Sequence, residues 1–252
     1  MDPFFRIRLL LGREAFDRLV RSRVTVIGLG AVGSYAVEGL ARAGVGSLRL
    51  VDFDRVTASN INRQLYALHS TVGRTKVSVA LERVRDINPD CRAEAAELFA
   101  ASENFEEAVG PSPDLVVDAI DSFTPKTSLI EFCWKKGIPV FSSMGAALRT
   151  DPFSIRWGDL FDTSGCPLSL KLRKALRKRG VGRGVMCVSS VEPVRTLAPE
   201  AGGEADSGDL PFERGRRRRP LGSLPTLTAI FGMVLAQKAI EFLCRDVSIP
   251  KK

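Results

Sequence analysis

The sequence predicts an α/β fold: a Rossmann-like, doubly wound, mainly parallel sheet with a C-terminal α+β extension. Three observations predict it. Short apolar runs alternate with stretches of helical period, as expected for strands buried on both faces and joined by helices. RVTVIGLGAVGS, residues 23–34, sets a glycine turn directly between a strand and a helix. SLRLVDFD, 47–54, then ends a second strand on an acidic residue about two dozen positions later.

Taken in order, Leu9, Leu10, Phe16, Leu19 and Val20 recur at helical spacing and predict a leading helix over 9–20. The first strand and glycine turn follow, and the helix they open runs through AVEGLARAG to Gly44 and Gly46. After the second strand, TKVSVALERVRDIN reads as an amphipathic helix ended by Pro89, and CRAEAAELF as a weaker third strand. DLVVDAIDS, 114–122, is a strongly apolar strand ending in acidic and hydroxyl residues, followed by a helix in SLIEFCWKKG and a strand in IPVFSSMG. VMCVSSVEPVR is one further strand, and LPTLTAIFGMVLAQKAIEFL is a core helix. Gln237, Lys238 and Glu241 interrupt its apolar run, which argues against a membrane span. Residues 1–150 are expected to form the nucleotide-binding core with its leading helix, and 151–252 a substrate-binding extension packed on that core. Within the extension, 198–220 has almost no apolar content and is expected to be a mobile loop.

Composition narrows the partners. Lys and Arg outnumber Asp and Glu by 37 to 29, for a net charge of +8, which suits an anionic partner such as RNA or a nucleotide. Residues 168–183 alone hold seven basic side chains and no acidic one. The cysteines (Cys91, Cys133, Cys166, Cys187, Cys244) include no C-x-x-C pair, which excludes the usual structural zinc pattern. Their odd number suits reduced thiols in the cytoplasm, and arginines break the N-terminal apolar patch, unlike a secretory signal.

Gly28, Gly30 and Gly33 let backbone approach a phosphate beneath a helix N-terminus. Asp52, at the end of the second strand, suits a ribose hydroxyl and fits NAD or ATP equally; Asp54 is either a helper or a solvated turn residue. Asn60, Arg63 and Gln64 on one short turn, with Lys76 on the next helix, break the tie. Singly each is an ordinary surface residue. Jointly, two cations and two amides suit a triphosphate and a departing pyrophosphate better than a dinucleotide. Asp121, at the mouth of DLVVDAIDS, is the candidate ligand for the Mg2+ such a leaving group requires. Cys187, among Val and Ser on a strand, reads as core packing, and His69, the only histidine, as a capping or packing residue.

RVTVIGLGAVGS, LVDFDRVTASNINRQ, VGRTKV and DAIDS resemble, in order and spacing, the adenylating domain of the ThiF/MoeB/ubiquitin-activating superfamily. RDINPDC, SSMGAALRTDP, CPLSLKLRKALRK, GVMCVSSVEP and TLTAIFGMVLAQKAI bring the chain nearest the tRNA threonylcarbamoyladenosine dehydratases. The resemblance implies an ATP site: Gly28, Gly30, Ala31 and Gly33 under the phosphates, Asp52 on the ribose, and Ser59, Asn60, Arg63 and Gln64 along the nucleotide. Lys76 faces the phosphates, and Asp121 with Ser122 sits by the metal. It also implies a homodimer in which an N-terminal arginine, here Arg6, or as second choice Arg8, reaches the neighbouring subunit's ATP. Ala31 replaces a frequent glycine, and Ser122 stands where sulfur-carrier activators have asparagine. Glu192 matches a position of the dehydratase pattern without an assigned role.

The implied activity is ATP-dependent dehydration of threonylcarbamoyladenosine next to the tRNA anticodon, through an acyl-adenylate. Residues 168–183 and the arginines between 214 and 219 would track RNA phosphates, with a cysteine desulfurase or sulfur-acceptor system as a candidate further partner. The alternative is adenylation of a ubiquitin-like sulfur-carrier C-terminus, against which the absence of C-x-x-C pairs counts. An NAD dehydrogenase would use the glycines and Asp52 but leave Asn60, Arg63, Lys76 and Asp121 idle; a silent binding module would bind tRNA without forming AMP.

Overall fold

The apolar runs become strands because alternate side chains can be buried on opposite faces of one sheet. The computed structural model of the protein describes residues 2–195 and 221–245. The whole predicted loop at 198–220, including the arginines between 214 and 219, lies outside them. Seven strands form one sheet: β1 (Arg23–Ile27), β2 (Ser47–Val51), β3 (Arg92–Ala96), β4 (Leu115–Asp118), β5 (Val140–Ser143), β6 (Ile155–Asp159) and β7 (Met186–Ser190). Their order is β3-β2-β1-β4-β5-β7-β6, all parallel except the edge strand β6, which runs against β7. The fold is thus the α/β, mainly parallel arrangement that the sequence predicts.

The winding reverses between β1 and β4, and their carboxyl ends part there into the crevice where open α/β sheets bind ligands. Leu48, Leu50, Leu115, Val117 and Val188 point to one face, while Val51, Val116, Val140 and Cys187 point to the other. The first face is covered by α2 (Arg13–Arg21), α3 (Gly33–Arg42), α4 (Lys76–Ile87) and α8 (Pro225–Leu243), and the second by α5 (Phe105–Val109), α6 (Phe123–Lys135) and α7 (Pro167–Lys178). Helix α8 is long and apolar enough to cross a bilayer, but here it docks on α3. A Cβ on Gly39 would lie 2.6 Å from the Ala236 Cβ, so the two helices meet without room for a side chain.

Four elements differ from the sequence expectation, the short α5 among them. The leading helix is two: α1 (Phe5–Leu11) and α2 part at Gly12, whose φ of 82° ends one helix and redirects the chain into the next. Strand β6, IRWGD, was not predicted, because it is only partly buried and carries Arg156 and Gly158 instead of an apolar run. Helix α7 lies inside the basic stretch, where Leu172 and Leu176 face the core at helical spacing. It starts beside the carboxyl end of β7, since a Cβ on Gly165 would meet the Val191 carbonyl, and the loop after its end at Lys178 is tied to α6, where Trp134 Nε1 donates to the Arg183 carbonyl at 3.0 Å.

Candidate active site

The chain turns tightly at the carboxyl end of β1. Gly28 has a φ of 92°, and a Cβ there would lie 2.8 Å from the Ala119 carbonyl carbon, while one on Gly33 would collide with the Gly28 carbonyl oxygen. These two glycines are required by the fold. Gly30 is not: a Cβ there would meet nothing nearer than the Gln64 Nε2 at 3.8 Å. The space over Gly30 and Ala31 lies at the start of α3, where free N–H groups and the positive helix end favour an anion. Ser34 joins this turn to the next segment, since its Oγ donates to the Gly30 carbonyl at 2.7 Å and accepts from Leu65 N–H at 3.3 Å.

Asp52 is buried at the end of β2. Its carboxylate accepts from Leu29 N–H at 2.6 Å and from Asp54 N–H at 2.8 Å, tying the glycine turn to the second strand. Burial pushes the Asp52 carboxyl up from its ordinary value, and Lys76 with the two amides opposes it. Lys76, on the first turn of α4, is buried instead of solvated, and its Nζ donates to Asp54 Oδ2 at 2.6 Å. Burial alone would lower the ammonium pKa, but the Asp52, Asp54 and Asp121 carboxylates outweigh it and hold it above the ordinary value. Lys76 is therefore a fixed cation at the crevice. Asp54 is partly buried against Lys76 instead of being a solvated turn residue, and its buried Oδ1 has no protein partner among the described residues.

On the facing side, Asp121 and Ser122 lie between β4 and α6. Asp121 is exposed at the mouth, Ser122 is the N-cap residue of α6, and the Ser122 Oγ donates to Asp121 Oδ1 at 3.3 Å. The 58–64 turn opens with a short 3₁₀ element, Ala58–Asn60, in which Asn60 Oδ1 accepts from Thr57 N–H and Ser59 Oγ pairs with Thr57 Oγ1 at 2.9 Å. Arg63 folds back onto this turn, donating to the Ser59 carbonyl and to Asn62 Oδ1, both at 2.8 Å. Of the predicted cations and amides, Lys76 is thus set in the crevice and Gln64 reaches the glycine turn, whereas the Arg63 guanidinium is engaged locally. Arg6 is exposed on α1, a helix with no buried residue, which also exposes Phe5, Leu9 and Leu10.

Sequence reasoning missed the buried group behind this mouth. Lys126 and Asp118 are wholly buried, with Nζ 2.5 Å from Asp118 Oδ2, and Ser142 Oγ donates to that same oxygen at 2.6 Å. Asp118 Oδ1 accepts from Ile120 N–H at 3.1 Å, so the pair shapes the turn leading to Asp121. Asp118 and Lys126 sit eight residues apart inside DAIDSFTPK, where the acid at a strand end was the available signal.

The remaining candidates are structural. All five cysteines are free and buried, and burial pushes the Cys187 thiol up to about 12, which opposes a nucleophilic role. Alkylation of the folded protein is expected to modify none of these thiols rapidly. Cys187→Ala should keep turnover within about twofold, because a small buried thiol mainly fills space; a matched kinetic assay checks this. His69 is exposed, and the cap in its turn comes from Thr71, whose Oγ1 accepts from Leu68 N–H at 2.9 Å, which corrects the packing or capping expectation. Glu192 accepts from the N–H groups of Thr150 and Asp151, both at 2.9 Å, and so clasps the β5 exit to the β7 exit. These amides hold its carboxyl below the usual glutamate range.

A glycine turn under a helix end, an acid closing the second strand and a crevice at the winding reversal define a nucleotide-binding protein of the doubly wound α/β class. The chain belongs to the ThiF family, whose model matches residues 5–252. It is 36% identical over 251 residues to the tRNA threonylcarbamoyladenosine dehydratase of Bacillus subtilis, covering 100% of this chain and 98% of that protein. The Escherichia coli protein of that name is 36% identical over 242 residues, covering 92% and 90%. The crystal structure of the E. coli dehydratase in complex with ATP superposes with a TM-score of 0.83 at 34% identity, covering 96% of this chain and 93% of that one.

Proposed function

We propose that this protein is an ATP-dependent tRNA threonylcarbamoyladenosine dehydratase. The observation that carries the reading is the buried Lys76, whose Nζ donates to Asp54 Oδ2 at 2.6 Å, set beside a glycine turn where a Cβ on Gly30 would meet only Gln64 Nε2, at 3.8 Å. The full-length similarity to proteins named for this reaction supports it. ATP would lie with its phosphates over Gly28, Gly30, Ala31 and Gly33 and its ribose at Asp52, where the unpartnered Asp54 Oδ1 offers a further acceptor for a hydroxyl. Ser59, Asn60, Arg63 and Gln64 would close along the nucleotide, Arg63 by releasing its own turn.

The carboxylate of the threonylcarbamoyl group attacks the α-phosphorus of ATP, and the bond to pyrophosphate breaks. The carbamoyl group then attacks the acyl carbon of the mixed anhydride, AMP leaves with the carboxylate oxygen, and one proton is lost, closing a ring with net loss of water. Lys76 supplies fixed positive charge to the departing phosphates, and Arg63 adds a second cation once it leaves its own turn. Asp121 with Ser122 would hold a Mg2+ ion, a hard cation that takes oxygen ligands and would add positive charge at the leaving group. The protein contributes position and charge rather than a nucleophile of its own.

The basic stretch suits the RNA. Arg173, Arg177, Arg179 and Arg183 are engaged within the protein by carbonyls, the Phe161 ring, Glu131 and Asp162. Lys171, Lys174 and Lys178 lie exposed along one side of α7, at a spacing that places them on one stripe. We place this chemistry in the cytoplasm, in a homodimer without structural zinc and without membrane association. Activation of a sulfur-carrier protein is the second reading, and turnover only with such a carrier would favour it. A cysteine desulfurase or sulfur-acceptor system remains a candidate partner.

The deciding experiment is mass spectrometry of nucleosides from tRNA incubated with protein, ATP and Mg2+, where loss of one water from the threonylcarbamoyl nucleoside is expected. An unchanged nucleoside overturns the reading. The dimer has its own test. Arg6→Ala and Arg63→Ala proteins are each expected to be inactive alone, and a mixture should recover up to about a quarter of wild-type activity, because a randomly formed hybrid dimer keeps one intact site. No recovery on mixing opposes an arginine shared across the interface.

A further inference from the structure

We infer that Phe153 is a stacking platform for an unpaired base of the RNA substrate, a deepening that rests on the dehydratase reading. Phe153 is the most exposed large apolar residue described, at 88%. A side chain so placed would ordinarily fold onto the surface, but its mount is rigid. Phe153 N–H donates to Asp151 Oδ1 at 2.9 Å, Ser154 Oγ donates to Asp151 Oδ2 at 2.5 Å, and Arg156 Nη1 donates to the Phe153 carbonyl at 2.7 Å. Glu192 in turn clasps the Asp151 N–H. These bonds fix the turn on which the ring stands out into solvent.

Its place in the fold says what it faces. Ile155, two residues on, pairs with Ser190, the last residue of β7, so Phe153 stands on the carboxyl edge of the sheet, the edge that carries the ATP crevice. From β6 to β4 is three strand spacings of about 4.8 Å, which places the ring about 14 Å from the Asp121 mouth along that edge. With the reacting adenosine at the mouth, a nucleotide a few positions along the same strand comes over Phe153. Val191, joined to Ser154 by a backbone hydrogen bond, is exposed beside it, and the Arg156 and Arg195 cations flank the turn. An exposed aromatic ring between cations is how proteins hold single-stranded RNA, since every base offers a π face.

The test uses the full-length protein. Phe153→Ala is expected to raise the KM for threonylcarbamoyladenosine-containing tRNA by about 5- to 150-fold, with kcat and the KM for ATP unchanged. Phe153→Tyr should stay near wild type, and Phe153→Leu, apolar but without a π face, should behave like alanine. Trp fluorescence of Phe153→Trp should be quenched by an unmodified anticodon stem-loop RNA, but not by a duplex RNA of equal charge. An unaltered KM in Phe153→Ala, equal function of the leucine variant, equal quenching by the duplex, or a changed oligomeric state with unchanged RNA binding would each overturn the platform. The stem-loop measurement needs neither ATP nor the modified base, so it judges the platform even if the wild-type protein fails to dehydrate tRNA, a failure that would overturn the proposed reaction.

Discussion

Asp121→Ala is expected to lower ATP-dependent AMP formation by about 10²- to 10³-fold or more, while tRNA affinity changes less than twofold. The side chain is exposed at the crevice mouth, beside Ser122 and near enough to Lys76 to help hold its charge. Its loss should leave the fold intact. What disappears is the carboxylate proposed to face the phosphates, and with it the oxygen that would hold a hard cation against the leaving group. Pyrophosphate release and chromatographic AMP measure the first effect, and filter binding of labelled tRNA the second. A Mg2+ titration of Asp121→Asn adds a direct reading, since a weakened ligand should move the half-saturating concentration upward. Full turnover in Asp121→Ala would remove this residue from the site.

Lys126→Met is expected to cost about 3–5 kcal/mol of stability, because it strands the Asp118 carboxylate in a wholly buried position. For a chain of this length that corresponds to a melting temperature lower by roughly 6–20 °C, read by calorimetry or circular dichroism. The second variant is the decisive one. Asp118→Asn added to Lys126→Met removes the buried charge while keeping an oxygen for the Ile120 N–H and a partner for Ser142, and it should recover at least half of the loss. Absence of recovery would mean that lysine packing, and not charge pairing, supplies the stability. Because the Asp118 turn leads directly into Asp121, the single variant should also lose AMP formation beyond what its folded fraction accounts for.

Both predictions turn on carboxylates, yet only one of the two was legible from the residues. Asp121 announces itself because it follows an apolar strand and precedes a helix, where side chains project into the crevice. Asp118 belongs to the strand itself and reads as an ordinary strand-end acid until Lys126 and Ser142 close over it. Lys76 shows the same limit from the other direction. As a residue type it is a surface lysine, and it becomes a buried cation only because Asp54, 22 residues earlier, is folded against it. Strand β6 escaped notice because an edge strand needs little burial and so carries little pattern.

The residue order by itself determined the doubly wound α/β class, the glycine turn with its following acid, the polar 59–64 turn and the family, since each is written in neighbours along the chain or in the period of its apolar residues. Only the tertiary structure decided which charges are buried and paired, that Glu192 clasps one strand exit to another, and that Phe153 is held outward on the crevice edge. The reason is physical: a charge or ring takes its role from what surrounds it, and those surroundings are assembled from segments far apart in the chain.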